Sequence, residues 1–305
     1  MRRQPGERAP NDTSVTVLYG TPAGRLLLEA LLLLRVPKLL GFLLRTRLSR
    51  FYVGHFIRAH GVDMADFGGD AGGRQFKSFN DFFTRKKPAD ALAFDAERSH
   101  LISPSDSLLS AHKITDGATF RVKGFDYALD DFFWNGPPPG AGEAAALPAL
   151  FSGGDCLVFR LCATDYHRYC YIDDGRQGKN TFIPGKLYSV QPLAAEHFRI
   201  YTKNRRSWTL METENFGTVA QIEVGAFCVG GIKNHLSEAE FRKGDEKGYF
   251  DLHGSTIVLL FQKGAIELDA DIAEKTRGGR EFRVRYGQRI GTKGRAAPSE
   301  PESLG

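Results

Sequence analysis

Short apolar or alternating runs recur from about residue 100 onwards, and they limit the possible folds more than any other feature of this sequence. The clearest are Cys156–Leu161, Gln221–Val224 and Thr256–Phe261, in segments punctuated by Gly, Asp and Asn. Runs of about 4–8 such residues between turn formers are typical of β-strands. A leucine-rich stretch of helical character precedes them. We therefore predict an α+β fold, with N-terminal helices followed by a compact, mainly antiparallel β-rich domain.

The leucine-rich stretch, residues 24–60, reads as two or three helices with a break at Val36–Pro37, because proline interrupts a helix. From residue 25 to residue 50 it contains one acid, Glu29, while leucines fill the spaces between six basic residues. The basic residues are Arg25, Arg35, Lys38, Arg45, Arg47 and Arg50. Such helices suit an anchor at an anionic membrane surface. The same leucines could instead pack on the β-rich domain, with the arginines in solvent, and this pattern alone leaves both interpretations open.

No stretch reaches the roughly 18 consecutive apolar residues that a membrane-spanning helix needs. The longest is interrupted by Glu29 and ends at Arg35, and no small-residue cleavage site of a signal peptide follows it. The segment is therefore expected to contact a membrane or a core, not to cross a bilayer.

Changes in composition along the chain predict three parts. Polar, glycine-rich residues 68–74 form a connector that marks the first boundary. The predicted parts are a helical, membrane-associating region (1–70), a β-rich domain (71–291) and a disordered tail (292–305).

Charge and cysteine content exclude several classes of function. The formal net charge of +5 and the pI near 9.0 are too mild to indicate nucleic-acid binding, and no nucleic-acid module is recognisable. The four cysteines, Cys156, Cys162, Cys170 and Cys228, form no C-x-x-C pair. We therefore expect no metal site and no disulfide framework, which favours a reducing compartment.

The tripeptide Gly254-Ser255-Thr256 is a weak signal by itself, because such a sequence before a strand is usually a turn. Its surroundings are more specific, since it lies between Lys243–Phe250 and the apolar run Leu259–Phe261. Further motifs lie upstream in a fixed order: Phe79–Arg85, Ser103–Asp106, Asp165–Arg168, Gly185–Val190 with Pro192, Asn204-Arg205, and Val224–Ala226 with Val229-Gly230. In this order they closely resemble the phosphatidylserine decarboxylase family, and the resemblance runs from about residue 20 to residue 291.

The resemblance implies an enzyme that cleaves its own chain. In this family the serine hydroxyl, here that of Ser255, attacks the carbonyl of the preceding residue, here Gly254. The chain breaks through an ester, and Ser255 becomes a covalent pyruvoyl group at a new N-terminus. Glycine before the nucleophile leaves the carbonyl open to attack. The pyruvoyl group accepts electrons during decarboxylation, so no external cofactor is needed.

The resemblance also implies a substrate and a setting. Members of the family convert phosphatidylserine to phosphatidylethanolamine and carbon dioxide. The chain is accordingly expected to act peripherally at an anionic membrane surface, on the cytoplasmic side. A homodimer of cleaved α/β heterodimers is the assembly that related enzymes suggest.

The family's processing site is an Asp–His–Ser relay, in which a carboxylate orients the base that activates the hydroxyl. Asp106 matches the Asp and Ser255 the Ser, but Cys170 stands where the family usually has the His. We expect Cys170 to be a poor base, because the charge of Asp106 beside it would raise the pKa of the thiol. His253 and His167 are candidate substitutes, although His167 resembles the family histidine assigned to decarboxylation.

Three functions remain open at this point. The first is a membrane-surface phosphatidylserine decarboxylase, and the second is a pyruvoyl-dependent decarboxylase of a soluble amino acid or peptide. The third is a non-catalytic relative that never cleaves. The intact Gly254-Ser255 argues against the third, and the basic, leucine-rich N-terminus favours the first over the second.

Overall fold

The computed structural model describes residues 13–67, 73, 75–88, 91–122, 124–137, 142, 146–226, 231–252 and 255–295. Longer helices lie in the first part of the chain and strands follow from residue 100, which confirms the predicted α+β fold. The helices are α1 (Thr13–Gly20), α2 (Pro22–Leu33), α3 (Val36–Arg45), α4 (Arg50–His60), α5 (Phe79–Phe83), α6 (Asp130–Phe133), α7 (Pro192–His197), α8 (Ile200–Lys203) and α9 (Ala270–Arg277).

Each of the three predicted apolar runs lies within a strand, and each of these strands begins at least one residue before its run. They are β1 (His100–Ile102), β2 (Ser107–Lys113), β3 (Thr119–Val122), β4 (Phe125–Ala128), β5 (Asp155–Leu161), β6 (Arg168–Cys170), β7 (Gly175–Gln177), β8 (Thr181–Ile183), β9 (Arg206–Thr213), β10 (Gly217–Gly225), β11 (Gly231–Asn234), β12 (Ala239–Phe241), β13 (Glu246–Asp251), β14 (Ser255–Phe261), β15 (Ile266–Leu268), β16 (Phe282–Val284) and β17 (Arg289–Lys293).

Strand β14 lies inside the largest sheet, whose order is β12-β7-β9-β10-β14-β5-β2-β16, with β8 also paired to β9. Its neighbours β10 and β5 both run antiparallel to it. Every residue of β14 and β5 is buried. Val258 and Leu260 face one apolar core, and Ile257 and Leu259 face another. Because both faces of the sheet are covered, these strands read as continuous apolar runs in the sequence.

A smaller antiparallel sheet, β11-β13-β6, packs on one face of the large sheet. Its residues Tyr169, Cys170 and Phe250 belong to the same apolar core as Ile257. The sheets β1-β17-β15 and β3-β4 complete the described β structure. Strand β17 runs to Lys293, so regular structure continues two residues beyond the boundary predicted at residue 291.

The N-terminal helices break at Leu34-Arg35, directly before the predicted position at Val36–Pro37. Helix α2 ends at Leu33, and Arg35 adopts a left-handed backbone conformation with φ of 57° before α3 begins. Pro37 lies in the first turn of α3, where its missing N–H costs no helical hydrogen bond. Helix α1, which precedes the predicted helical stretch, was not expected from the sequence.

Most of the leucines on α2 and α3 face solvent, not the β-rich domain. Leu26 is 76% exposed, Leu33 83% and Phe42 64%, whereas Leu28 is completely buried. Glu29 ties α2 to the body, because it accepts hydrogen bonds from the Tyr188 hydroxyl and the Lys186 ammonium. Core packing therefore accounts for only part of the leucine-rich stretch. Among the described residues, no helix combines the length and hydrophobicity that crossing a bilayer requires.

A third apolar cluster joins the helices to the segment before β14. It contains Val53, Phe56 and Ile57 of α4, three phenylalanines of α5, and Leu252. The phenylalanines are Phe79, Phe82 and Phe83. We call this group the helix cluster. It brings the N-terminal helices to the end of β13, directly before the predicted cleavage site.

Candidate active site

Ser255 opens β14, the strand held between β10 and β5. It lies opposite Gly225 on one side and Leu161 on the other, and it is completely buried. The buried Asn204 side chain donates hydrogen bonds to the carbonyls of Gly225 and Tyr188, at 2.9 and 2.8 Å. These contacts fix the end of β10 beside Ser255, so the serine has a well-defined position.

His167 brings its imidazole to the Ser255 hydroxyl. It directly precedes β6, and its backbone carbonyl accepts a hydrogen bond from the Phe250 N–H at 2.9 Å. The ring is completely buried and stacks on Phe83 with 3.8 Å between ring centroids. Phe83 ends helix α5, whose N-terminus is capped by the Ser78 hydroxyl. In this position His167 Nδ1 lies 3.0 Å from Ser255 Oγ.

The second ring nitrogen of His167 determines the tautomer. Nε2 lies 3.1 Å from the backbone carbonyl oxygen of Cys162. A carbonyl oxygen can only accept, so this contact requires that Nε2 carries the hydrogen of the neutral ring. Nδ1 is then left with a lone pair that accepts the Ser255 hydroxyl. The imidazole is oriented to receive the proton of the serine.

A turn at residues 162–165 holds the Cys162 carbonyl in place. The Asp165 carboxylate accepts the Cys162 N–H at 2.7 Å, and both of its oxygens bind the Arg283 guanidinium. Arg85, also buried, donates to the Thr164 carbonyl at 3.0 Å. Burial raises the pKa of the Asp165 carboxyl, and Arg283 opposes that shift by stabilising the ionised form. Asp165 therefore acts on His167 through the turn, not by direct contact.

Asp106, the predicted acid of the relay, lies between β1 and β2 and is half-buried. Its Oδ1 accepts the Tyr286 N–H at 2.8 Å. The negative charge of Asp106 raises the pKa of both Asp165 and Arg283, so Asp106 lies near that ion pair. No hydrogen bond within the described part of the chain joins Asp106 to Ser255.

Cys170 is completely buried in β6, and no hydrogen bond in the described part of the chain joins it to Ser255. Its Sγ lies 3.6 Å from the Pro104 carbonyl and 3.9 Å from the Ser103 carbonyl. Burial raises the pKa of the thiol to about 12. The predicted direction of this shift is confirmed, but the predicted cause was wrong, because desolvation and not the charge of Asp106 dominates.

Two predicted site residues, His253 and Gly254, lie outside the described residues. The chain on either side of them is firmly held. Ser255 belongs to a central strand, and Leu252 is 1% exposed within the helix cluster. Leu252 also has φ of 46°, a left-handed conformation that a branched apolar residue rarely adopts. An unfavourable backbone geometry therefore lies two residues before Gly254.

Three contributors to the site were not identified from the sequence: the Cys162 carbonyl, Asp165 and Arg283. Asp165 carries a weak signal, because it lies two residues before His167 in the Asp165–Arg168 motif. Arg283 lies 118 residues after its partner in the sequence, and no local pattern connects the two.

A buried serine hydroxyl bound to an oriented imidazole is the arrangement of a base-activated nucleophile. The base lies within hydrogen-bond reach of the proton that it would take. Among the residues that the structure describes, no group of three His, Cys, Asp or Glu side chains could hold a metal ion. The chemistry that this geometry supports is attack by Ser255 on a neighbouring carbonyl.

Comparison with known proteins gives a consistent result. A sequence model of the phosphatidylserine decarboxylase family matches residues 79–292. A phosphatidylserine decarboxylase proenzyme 2 of Clostridium acetobutylicum is 38% identical over 286 residues, which cover 93% of this chain and 94% of the relative. A phosphatidylserine decarboxylase proenzyme of Clostridium beijerinckii is 37% identical over 279 residues, covering 90% of each chain. The chain therefore belongs to the phosphatidylserine decarboxylase family.

Proposed function

We propose that this chain decarboxylates phosphatidylserine to phosphatidylethanolamine, using a pyruvoyl group that it makes from Ser255 by self-cleavage after Gly254. One observation carries the proposal. His167 Nδ1 lies 3.0 Å from Ser255 Oγ, both side chains are completely buried, and the other ring nitrogen is held by a carbonyl. A serine with only a structural role has no need of an oriented base. The word "proenzyme" in the relatives' names agrees with a chain that matures by cleavage.

The position of His167 supports self-cleavage. Nδ1 takes the Ser255 hydroxyl proton as Oγ attacks the Gly254 carbonyl carbon, and the peptide bond is exchanged for an ester. Loss of the Ser255 α-proton and of the Cβ–O bond then releases Gly254 as a carboxylate and leaves dehydroalanine at position 255. One water hydrolyses dehydroalanine with release of ammonia. The small chain then begins with a pyruvoyl group in place of Ser255.

The contacts of Ser255 support His167, one of the two candidate substitutes, as the processing base. His167, which resembles the family's decarboxylation histidine, is the described imidazole in hydrogen-bond contact with Ser255. Cys170 makes its contacts with the Ser103 and Pro104 carbonyls instead. We therefore propose that His167 acts as base during cleavage. The same imidazole remains beside residue 255 afterwards, where it can hold or deliver a proton during decarboxylation.

The surroundings of residue 255 fit a pyruvoyl group. Position 255 is shielded from water, lies between two paired strands and faces a basic imidazole. When formed, the group would supply an electron sink for loss of carbon dioxide from an amino acid. The contributions of this chain are to exclude water, to orient the substrate against β14 and to move a proton at His167 Nδ1.

A membrane-bound substrate is supported by the outer surface of α2 and α3. We define this apolar surface by its most exposed large side chains, which are Leu26, Leu27, Leu33, Leu34, Leu39, Phe42 and Leu43. The basic residues between them are exposed as well, apart from the half-buried Arg25. Each basic residue near an anionic surface contributes about 1 kcal/mol of attraction, which salt screens. We therefore propose peripheral binding to anionic membranes. The predicted cytoplasmic side and homodimer stay predictions.

Replacement of Ser255 tests the proposal. Ser255→Ala removes the nucleophile and the future carbonyl, so the protein should fold, stay as one chain and release no carbon dioxide from phosphatidylserine. Ser207→Ala is a matched control, because Ser207 is a buried serine of the same sheet. The control should cleave and react normally. Carbon dioxide release by Ser255→Ala, or activity on free serine but not on phosphatidylserine vesicles, would contradict the proposed mechanism or substrate.

A further inference from the structure

An ion pair ties the segment just before the proposed cleavage site to helix α3. Asp251, the last residue of β13, accepts a hydrogen bond from Arg45 Nη2 to its Oδ2 at 2.6 Å. Arg45 is the last residue of α3, the helix that exposes Leu39 and Phe42. The Asp251 side chain is only 14% exposed, so its charge is poorly solvated. Its other oxygen, Oδ1, is buried and has no hydrogen-bond partner among the residues that the structure describes. Arg45 is thus the described cation that pairs with this carboxylate.

The next residue is held by the same part of the molecule. Leu252 packs into the helix cluster against residues of α4 and α5, with φ of 46°. This backbone conformation costs energy for a leucine, so the surrounding contacts must impose it. Phe83 of that cluster also stacks on His167. The helix cluster therefore contacts both the described residues just before the cleavage site and the imidazole that takes the serine proton.

We propose that Arg45 is a positioning residue for self-cleavage: through Asp251 it anchors the last described residues before the cleavage site, Asp251 and Leu252, relative to Ser255 and His167. This inference rests on the proposed self-cleavage. Ser255 is fixed from its other side by β10 and β5, so the geometry of the attack depends on where the incoming segment is anchored. Arg45 and Leu252 provide that anchor, Arg45 through a charge and Leu252 through packing.

Loss of the ion pair should lower the cleavage rate far more than it lowers the stability of the fold. Nucleophilic attack needs reacting atoms about 3–3.5 Å apart, and a displacement of about 1 Å can cost up to 100-fold in rate. Arg45 is 38% exposed, so its loss should perturb folding little. A disproportionate loss of cleavage rate over stability is what distinguishes positioning from general support of the fold.

The experiment compares Arg45→Met, Arg45→Lys and the control Arg47→Met in full-length protein. Arg47 is an exposed residue of the same basic stretch, and it forms no described ion pair. Cleavage is followed by the appearance of the small chain on gels after cell-free synthesis. We expect Arg45→Met to cleave about tenfold more slowly than wild type, Arg45→Lys to recover most of the rate, and Arg47→Met to match wild type. Asp251→Asn should be slow too, and combining it with Arg45→Met should slow cleavage no further.

Melting temperatures of the same changes in an uncleavable Ser255→Ala background separate folding from positioning. They should differ from the parent by no more than a few degrees. Equal cleavage rates for Arg45→Met and Arg47→Met would overturn the inference while leaving self-cleavage intact. A wild-type chain that never cleaves would instead overturn the proposed function on which the inference rests.

Discussion

His167 can be tested as the processing base with a substitution that keeps its hydrogen bond but removes its basicity. In His167→Asn the side-chain amide can lie near the position of Nδ1 and still accept the Ser255 hydroxyl, since the observed separation is 3.0 Å. An amide cannot take the proton. A positioned base is typically worth about 10²–10⁴-fold in rate, or about 2.7–5.5 kcal/mol of activation free energy. Cleavage with a half-time of minutes should then take hours to weeks, by the same factor of about 10²–10⁴.

The assay is a time course of the small chain after cell-free synthesis, with Cys170→Ala as the comparison. The Cys170 thiol contacts two backbone carbonyls, and burial raises its pKa to about 12. Cys170→Ala should therefore cleave within about twofold of wild type, since the lost thiol takes no part in general-base catalysis. Thermal unfolding of His167→Asn in a Ser255→Ala background checks that the fold is retained. Normal cleavage by His167→Asn, or none by Cys170→Ala, would refute the assignment.

Three further predictions concern stability and membrane binding. Because the folded-state pKa of Cys170 is raised from 9.0 to about 12, its thiol stabilises the fold below pH 9 and this contribution is lost as pH rises towards 12. The stability advantage of wild type over Cys170→Ala should therefore shrink by about 1.4 kcal/mol per pH unit above pH 9 in urea unfolding, and a constant difference would disprove the shift. The Lys247–Glu223 ion pair is completely buried, with 2.7 Å between Nζ and Oε1. Lys247→Ala should therefore cost about 3–5 kcal/mol of unfolding free energy, and Lys247→Met/Glu223→Gln should recover much of it. A loss below about 1 kcal/mol would be inconsistent with an uncompensated charge. Phe42→Asp should weaken flotation with anionic vesicles. Phe182→Asp alters an exposed phenylalanine of β8 and should leave flotation unchanged. Equal behaviour of the two variants would argue against the apolar surface as the membrane contact.

The strands were predictable because the apolar character of their residues indicates burial. Apart from Arg160 and Thr256, Cys156–Leu161 and Thr256–Phe261 are apolar, and the structure buries every residue of both runs. The fate of the N-terminal leucines was not predictable in the same way. A helical repeat of leucines shows that an apolar face exists but not what covers it. The structure separates them, with Leu28 buried against the body and Leu33 exposed.

Part of the active site could be located from the sequence, and part depended on long-range packing. Ser255 and His167 were identified from motifs, but their contact joins residues 88 positions apart and depends on how β6 and β14 pack. The ion pair of Asp165 with Arg283 has no local signal at all. For Cys170, the sequence predicted the correct direction of the pKa shift but assigned it to the charge of Asp106. The main cause is burial, which depends on the whole fold and is not visible in the local sequence.

The intact mass of the purified protein tests the central claim most directly. The account predicts two chains, one comprising residues 1–254 and the other residues 255–305. The second chain should be lighter by about 17 Da, the mass of ammonia, than the same sequence beginning with serine, because a pyruvoyl group has replaced Ser255. A single species of 33.8 kDa, or a small chain that begins with an unmodified serine, would contradict the account.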